Sequence, residues 1–271
     1  MNNDAIGVFD SGVGGLTAVK ELINLLPNEN IIYLGDTARI PYGTRSKETI
    51  AKYAKQDFAF LEQAKVKMII VACGTVSAIM TTNPQITSAI PHTSVLVPAV
   101  QAACGVTRNG KIGVIGTAAT IKSGSYGKAI RAIKPDINVI GKACPMFVPL
   151  VENGYTSKDN EVSKMIAREY LEVMKRENVD TLILGCTHYP LLRDIISDIM
   201  GPEVTLISPG EEAARFACAI LSEKELLSDR EEKGEYNFYV TDSVELFTET
   251  CNTFLGEDIK GTVLKCDLEN L

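Results

Sequence analysis

The segment "VDTLILGCTHYPLL", residues 179–192, indicates which kind of fold this chain adopts. Its residues 181–185 are mostly apolar, which is typical of a strand buried in the core of a protein. The strand stops at Cys186, Thr187 and His188, and Pro190 follows. A thiol, a hydroxyl and an imidazole therefore stand together at the end of a core strand, where α/β proteins bind their ligands.

A second segment, "VKMIIVACGTVSA" at residues 66–78, has the same character and places Cys73 just after its strand. The chain also repeats itself upstream of each cysteine. "IGVFDSGVGGLTAVKEL" begins at Ile6 and "IGVIGTAATIKSGSYGKAI" begins at Ile112, and each has the pattern of a strand, a polar loop and a helix. The shared order of these segments predicts two similar units that face each other.

Short β-branched runs alternate with longer helical patterns along the whole chain. We predict strands at 5–9, 30–34, 67–72, 94–97, 111–115, 137–140, 180–184, 204–207 and 236–240, and helices that include 46–64, 158–177, 211–227 and 243–254. This alternation predicts an α/β fold made of two pseudo-symmetric parallel-sheet domains, with the active site in the cleft between them. We assign residues 1–97 plus 209–271 to the first domain and residues 98–208 to the second.

Composition limits the classes of partner. The chain has 271 residues, is 45% hydrophobic and carries a net charge of −7, so it can bury a sizeable core and is a poor general binder of nucleic acid or anionic membrane. It has no apolar run of membrane-spanning length, and "MNNDAIGVFD" lacks the pattern of a signal peptide. We therefore expect a cytoplasmic protein without nucleic-acid or membrane partners.

The cysteines do not indicate a disulfide framework or a zinc site. There are seven, an odd number, and no Cys-x-x-Cys pair. A zinc site at Cys186 and His188 would need further ligands, and His92 is the only other histidine. We expect no metal.

Two polar loops follow predicted strands. "DSGVGG", residues 10–15, fails the dinucleotide fingerprint because position 17 is Thr, so it is either a tight turn or a site where Asp10 and Ser11 bind a small zwitterion. "GDTARIPYGT", residues 35–44, is either an ordinary Pro-Tyr-Gly turn around Tyr42 or a second wall of the same cleft.

Cys73 and Cys186 occupy matching strand-to-helix junctions, where a helix N-terminus lowers a thiol pKa and backbone amides bind carboxylates. Thr75 and Thr187 add hydroxyls, and His188 can carry protons near neutral pH. A single cysteine nucleophile needs only one thiol, and a redox pair needs contact between the sulfurs. Two thiols on opposite sides of one pocket suit the inversion of a stereocentre, because one removes a proton and the other returns a proton to the opposite face.

Several motifs together resemble the glutamate racemases of the cofactor-independent aspartate/glutamate racemase superfamily over nearly the whole length. They are "GVFDSGVGGL", "YLGDTARIPYG", "ACGT", "GVIGTAATI", "PLVENG" and "LGCTHYPLL". The resemblance implies interconversion of L- and D-glutamate without a cofactor, and a supply of D-glutamate for bacterial peptidoglycan.

The resemblance also implies roles for individual residues. Cys73 and Cys186 would be the two acid/base thiols, with Asp10 assisting near Cys73, and Glu152 and His188 near Cys186. The residues expected to line the substrate site are Asp10, Ser11, Tyr42, Gly43, Thr75, Thr187 and His188.

One position departs from the family, which usually has Asn where this chain has Gly74. The change removes a side-chain amide, so we assign no binding role to Gly74. The alternatives are an aspartate racemase and a non-catalytic binding protein on the same fold. A pyridoxal-phosphate racemase would need a Schiff-base lysine and a phosphate site, for which there is no convincing candidate. The expected partner is glutamate, and a homodimer is left open.

Overall fold

The computed structural model of the protein describes residues 2–256 and 261–269. Its strands are β1 (Ile6–Asp10), β2 (Ile31–Gly35), β3 (Met68–Val71), β4 (His92–Ser94), β5 (Lys111–Gly116), β6 (Asn138–Ala143), β7 (Thr181–Gly185), β8 (Thr205–Ile207), β9 (Tyr236–Val240) and β10 (Thr262–Lys265). Its helices are α1 (Leu16–Leu25), α2 (Lys47–Gln63), α3 (Gly74–Met80), α4 (Leu96–Val106), α5 (Ala118–Ser123), α6 (Ser125–Ile133), α7 (Phe147–Glu152), α8 (Glu161–Arg176), α9 (Arg193–Met200), α10 (Pro209–Glu223) and α11 (Val244–Leu255).

The strands form two sheets, and every described strand pair is parallel. The first sheet has the order β10-β9-β2-β1-β3-β4, and the second has the order β6-β5-β7-β8. The run β2-β1-β3-β4 therefore matches β6-β5-β7-β8 strand for strand. This match confirms the predicted α/β fold of two similar parallel-sheet units.

The long helices follow from capping and amphipathic spacing. The Ser46 side chain accepts a hydrogen bond from the Thr49 amide at the start of α2, and Asn160 accepts one from the Ser163 amide at the start of α8. Such side chains satisfy amide groups that the first helical turn leaves free. One apolar cluster includes residues of both sheets, such as Val8 and Leu182, so the two units share a continuous core.

Two sequence predictions were wrong in detail. The strand predicted at 94–97 lies at His92–Ser94, and helix α4 begins at Leu96. Pro98 lies in the first turn of this helix, where proline is tolerated because its missing N–H has no helical partner. Strand β10 was not predicted, because it is a short, largely exposed edge strand.

The strand order places both cysteines at equivalent points. In each unit the second strand lies on one side of the first strand and the third strand lies on the other side. The strand order therefore reverses between β1 and β3 and between β5 and β7. Such reversals open a crevice at the carboxyl ends of the strands. Cys73 follows β3 and Cys186 follows β7, so each thiol stands at one of these crevices. Among residues 2–256 and 261–269, no helix has the length and apolar character required to cross a membrane.

Candidate active site

The first half of the site surrounds Cys73, which is the N-cap of α3 and is only 4% exposed. Its thiol donates a hydrogen bond to Ser11 Oγ at 3.4 Å. Burial and the negative charge of Asp10 raise the pKa of Cys73 to about 12. In this arrangement Cys73 is a protonated thiol, ready to give a proton rather than to take one.

Asp10 ends β1 and lies beneath Cys73, with 3% of its surface exposed. One carboxylate oxygen accepts hydrogen bonds from the amides of Gly15 at 3.0 Å and Gly12 at 3.3 Å. Burial raises the pKa of Asp10 above its ordinary value, although the charge of His188 and these backbone amides oppose the shift. A carboxylate with a raised pKa beside a thiol can exchange a proton with it.

The second half of the site is a chain of three side chains. Cys186 Sγ lies 3.9 Å from His188 Nδ1, and His188 Nε2 lies 3.0 Å from Glu152 Oε1. Burial disfavours the charged imidazole, but the hydrogen bonds to Cys186 and Glu152 outweigh it and raise the pKa of His188 to about 10. His188 is therefore an imidazolium at neutral pH, and its positive charge lies next to the Cys186 sulfur.

The loops of the two units touch directly around these thiols. Thr17 Oγ1 donates to the carbonyl of Thr187 at 3.0 Å. Gly14 packs so closely against the second unit that an added Cβ would lie 2.1 Å from Thr187 Oγ1 and 2.7 Å from the His188 ring. A side chain at position 14 would push the units apart. Gly14 of "DSGVGG" therefore allows the two units to approach each other closely and does not indicate nucleotide binding.

Gly74 and Gly185 form a second contact between the units. An added Cβ on Gly74 would lie 3.3 Å from the carbonyl oxygen of Gly185. Gly74 and Cys186 also border one small cavity, together with Val95, Tyr126, Gly185, Thr187, Pro190, Pro209 and Gly210. The residues next to the two cysteines thus meet at one place, as expected for a single cleft.

The loop at residues 42–44 lies between the two units, close to the residues that follow Cys73. From Gly43, an added Cβ would lie 3.5 Å from Ala119 Cβ in the second unit and 3.9 Å from Thr75 Oγ1 in the first. Tyr42 is buried, and its hydroxyl bonds to Asp36 and Asp57 rather than pointing into the cleft. Only the backbone of Tyr42 is therefore free for its predicted contact with substrate, and the predicted roles of Gly43 and Thr75 stay predictions.

Three residues near the site were not identified from the sequence. Thr17 ties the units together, the Phe254 ring meets the His188 ring edge-to-face at 5.4 Å, and Tyr126 borders the cavity beside Cys186. Each lies inside a helix with an ordinary amphipathic pattern, so only the three-dimensional contacts reveal it. In the described part of the chain, no group of three or more His, Cys, Asp or Glu side chains is arranged to hold a metal, and all seven cysteines are free.

Comparison with known proteins agrees with this geometry. The family model for Asp/Glu/hydantoin racemases matches residues 7–217. The chain is 48% identical over 265 residues to a glutamate racemase of Geobacter metallireducens, covering 98% of this chain and 97% of that protein. The crystal structure of a glutamate racemase isoform from Bacillus anthracis matches with a TM-score of 0.91 at 40% identity, covering 99% of each chain. That of a glutamate racemase from Francisella tularensis in complex with D-glutamate matches with a TM-score of 0.90 at 40% identity over 100% of each chain.

Proposed function

We propose that this chain, which belongs to the Asp/Glu/hydantoin racemase family, interconverts L-glutamate and D-glutamate without a cofactor. Relatives that are 43–48% identical over nearly the full chain carry the name glutamate racemase. The alternative of an aspartate racemase has weaker support, since the aspartate racemase of Picrophilus torridus shares 17% identity and indicates only the fold. A non-catalytic role is disfavoured because both thiols are present.

One observation carries the proposal: Cys73 and Cys186 stand at equivalent crevices of two matching sheets whose loops touch. Inversion at the α-carbon needs an acid/base group on each face of the substrate. The chain contains two copies of a strand that is followed by a cysteine, and these two copies supply both thiols. We accordingly assign residues 1–97 plus 209–271 to one domain and 98–208 to the other, with the substrate between them.

The reaction divides into two proton transfers. From L-glutamate, the Cys186 thiolate removes the α-proton, and the Cys73 thiol gives its proton to the opposite face of the carbanion. The products are D-glutamate, a Cys186 thiol and a Cys73 thiolate, and the reverse reaction restores the starting state. The His188 imidazolium, held by Glu152, stabilises the Cys186 thiolate.

The remaining site residues orient the substrate. Ser11, Thr75 and Thr187 offer hydroxyl groups, and Gly43 and the Tyr42 backbone offer polar main-chain atoms at the cleft. Their amides and hydroxyls suit the two carboxylates of glutamate, and Asp10 suits its ammonium group as well as the Cys73 proton. The product, D-glutamate, serves peptidoglycan synthesis in the cytoplasm, and a homodimer stays a prediction.

The test is optical. Purified protein is incubated with L-glutamate alone and, separately, with D-glutamate, L-aspartate, and L-glutamate plus a chelator, while circular dichroism follows the loss of optical activity. We expect both glutamate enantiomers to reach the racemic mixture with or without chelator, and aspartate to stay unchanged. A Cys73→Ser/Cys186→Ser double variant is the control. Folded protein that leaves both glutamate enantiomers unchanged would refute the proposal, and loss of activity with chelator would refute the cofactor-free mechanism.

A further inference from the structure

A buried polar cluster lies behind the loop at residues 42–44 and takes no part in the proton transfers described above. Its centre consists of two carboxyl groups, Asp36 and Asp57, both 0% exposed. The Tyr42 hydroxyl bonds to Asp36 and lies 3.2 Å from Asp57 Oδ2, so it joins the two carboxyl groups. Arg39 is the cation of the cluster, with Nε 2.6 Å from Asp36 Oδ2 and Nη2 3.5 Å from Asp57 Oδ1.

Tyr42 has one hydroxyl proton for two carboxyl neighbours, and this limits where the protons of the cluster can lie. Asp36 accepts three hydrogen bonds, from Arg39, Tyr42 and Thr241. Tyr42 has one hydroxyl proton and gives it to Asp36. Its contact with Asp57 then needs a proton on Asp57 Oδ2, donated to the Tyr42 oxygen. Burial and the negative charge of Asp36 raise the pKa of Asp57 well above its usual range, in agreement with a neutral acid.

Arg39 is anchored by other groups, although its buried Nη2 has no hydrogen-bond partner among the described residues. Its Nη1 donates to Gln56 Oε1 at 2.6 Å, and its guanidinium stacks 4.1 Å over the Tyr53 ring. Gln56 in turn donates to the carbonyl of Leu268 at 2.9 Å, which fixes the C-terminal segment to the same cluster. Among the described hydrogen bonds, Asp57 is the group left to donate to the Tyr42 oxygen.

Tyr42 links this cluster to the cleft because Gly43 is the next residue. Gly43 lies against Thr75, two residues from Cys73, and against Ala119 of the second unit. The orientation of the Tyr42 side chain therefore sets where the Gly43 backbone stands relative to both units. A shift of this loop would alter the part of the cleft that contacts substrate without touching either thiol.

We infer that Asp57, as a neutral hydrogen-bond donor to Tyr42, is a positioning residue that fixes the substrate-contacting loop at residues 42–44. The inference rests on the proposed glutamate racemase activity. It assigns a role to a residue in the middle of α2 that contacts neither thiol. It also predicts that loss of the Asp57 donor weakens substrate binding and raises KM, while kcat for the proton transfers stays nearly unchanged.

The experiment compares Asp57→Asn, Asp57→Ala and Tyr42→Phe with the parent enzyme, with KM and kcat measured for both glutamate enantiomers. An asparagine amide is neutral and can donate to Tyr42, whereas alanine cannot. We expect Asp57→Ala to raise KM about tenfold, the factor expected for one lost hydrogen bond. Tyr42→Phe loses its contacts with both Asp57 and Asp36 and should raise KM at least as much, and kcat should stay within about twofold in both variants. Asp57→Asn should restore KM to within about threefold of the parent value.

Each outcome bears on the inference. Unchanged KM in Asp57→Ala, an Asp57→Asn variant as impaired as Asp57→Ala, or a loss confined to kcat would each overturn it. If Asp57→Ala does not fold, judged by circular dichroism and thermal unfolding, Asp57→Leu, which is close to Asp in size and carries no hydrogen-bonding group, replaces it in the same KM measurement. Absence of racemisation by the folded parent enzyme would instead refute the proposed function.

Discussion

The two cysteine half-sites have the same place in the fold but opposite electrostatic surroundings. Cys73 is buried beside the carboxyl group of Asp10, and its pKa is raised to about 12. Cys186 is half-buried beside His188, whose own pKa is raised to about 10 by Cys186 and Glu152 despite its burial. One thiol therefore lies beside a carboxyl group that favours its neutral form, and the other lies beside a positively charged imidazolium.

The internal repeat shows how this difference arises. The aligned segments "IGVFDS" and "IGVIGT" put Asp10 and Gly116 at the same position, the last residue of the first strand of each unit. The segments "CGT" and "CTH" put Thr75 and His188 at the same position after the cysteines. Two differences within a repeated scaffold thus place a carboxyl group next to one thiol and an imidazole next to the other.

The largest expected effect tests whether both halves are needed. Cys73→Ser and Cys186→Ser should each lower the racemisation rate by about 10³-fold, since a hydroxyl is a far weaker acid and base than a thiol. Each remaining thiol should still remove a proton from one enantiomer. A glutamate analogue with a leaving group on the β-carbon detects this, because proton removal then leads to elimination, measured by release of the leaving group.

In the proposed mechanism Cys186 removes the proton of L-glutamate and Cys73 that of D-glutamate, so Cys73→Ser should eliminate only from the L-analogue and Cys186→Ser only from the D-analogue. Elimination is the right measurement because enantiomers have equal free energies, so no variant can change kcat/KM for racemisation in one direction alone. If Cys186→Ser racemised glutamate near the parent rate, or if both variants processed both analogues, the division into two half-sites would be wrong.

The second prediction tests the neighbours of the thiols. His188→Gln removes the imidazolium next to Cys186, so elimination from the L-analogue should fall about 100-fold while elimination from the D-analogue changes much less. Asp10→Asn should give the reverse pattern, because it removes the proton acceptor beside Cys73. Equal losses with both analogues in either variant would show that the two halves are not electrostatically distinct.

The raised pKa of His188 makes the free energy of unfolding depend on pH. The pKa of His188 is about 10 in the folded protein and 6.5 in its ordinary state. The stability that His188 contributes by gaining its proton is therefore fully present below pH 6.5 and is lost as the pH rises through about 10. Urea unfolding of the parent and of His188→Gln should show a larger difference in unfolding free energy at pH 6 than at pH 10. A difference that is constant over this range would contradict the imidazolium.

The sequence identified the thiols of both halves because strand ends are a local signal, but it did not predict how the halves are held together. A buried strand followed by a thiol and a hydroxyl is visible in a dozen residues, and the parallel sheets follow from the alternation of elements. The hydrogen bond from Thr17 to the Thr187 carbonyl joins residues 170 positions apart. The pairing of Asp57 with Tyr42 likewise depends on how α2 packs on the first sheet, which no local pattern of charges encodes.

A smaller effect is expected where the halves touch. Gly74→Ala places a Cβ 3.3 Å from the Gly185 carbonyl, a distance that forces a shift of a few tenths of an ångström between two backbones. We expect KM to rise about threefold, roughly 0.7 kcal/mol, because the cleft closes less completely. The matched control is Gly105→Ala in α4, where an added Cβ meets nothing within 4 Å and alanine favours the helix. A KM in Gly74→Ala equal to that of the control would show that closure does not depend on this contact.

The last prediction concerns stability alone and compares the two tyrosines in the second unit, Tyr126 and Tyr189. Both are buried, but the Tyr189 hydroxyl donates to the Cys144 carbonyl at 2.9 Å, whereas the Tyr126 hydroxyl has no hydrogen-bond partner among the described residues. Tyr189→Phe should therefore lower the free energy of unfolding by about 1–2 kcal/mol, and Tyr126→Phe should leave it unchanged or raise it by up to about 1 kcal/mol. Urea unfolding midpoints of the two variants give the comparison directly. Equal destabilisation would mean that the Tyr126 hydroxyl is hydrogen-bonded in solution, which would place a polar ligand in the cavity beside Cys186.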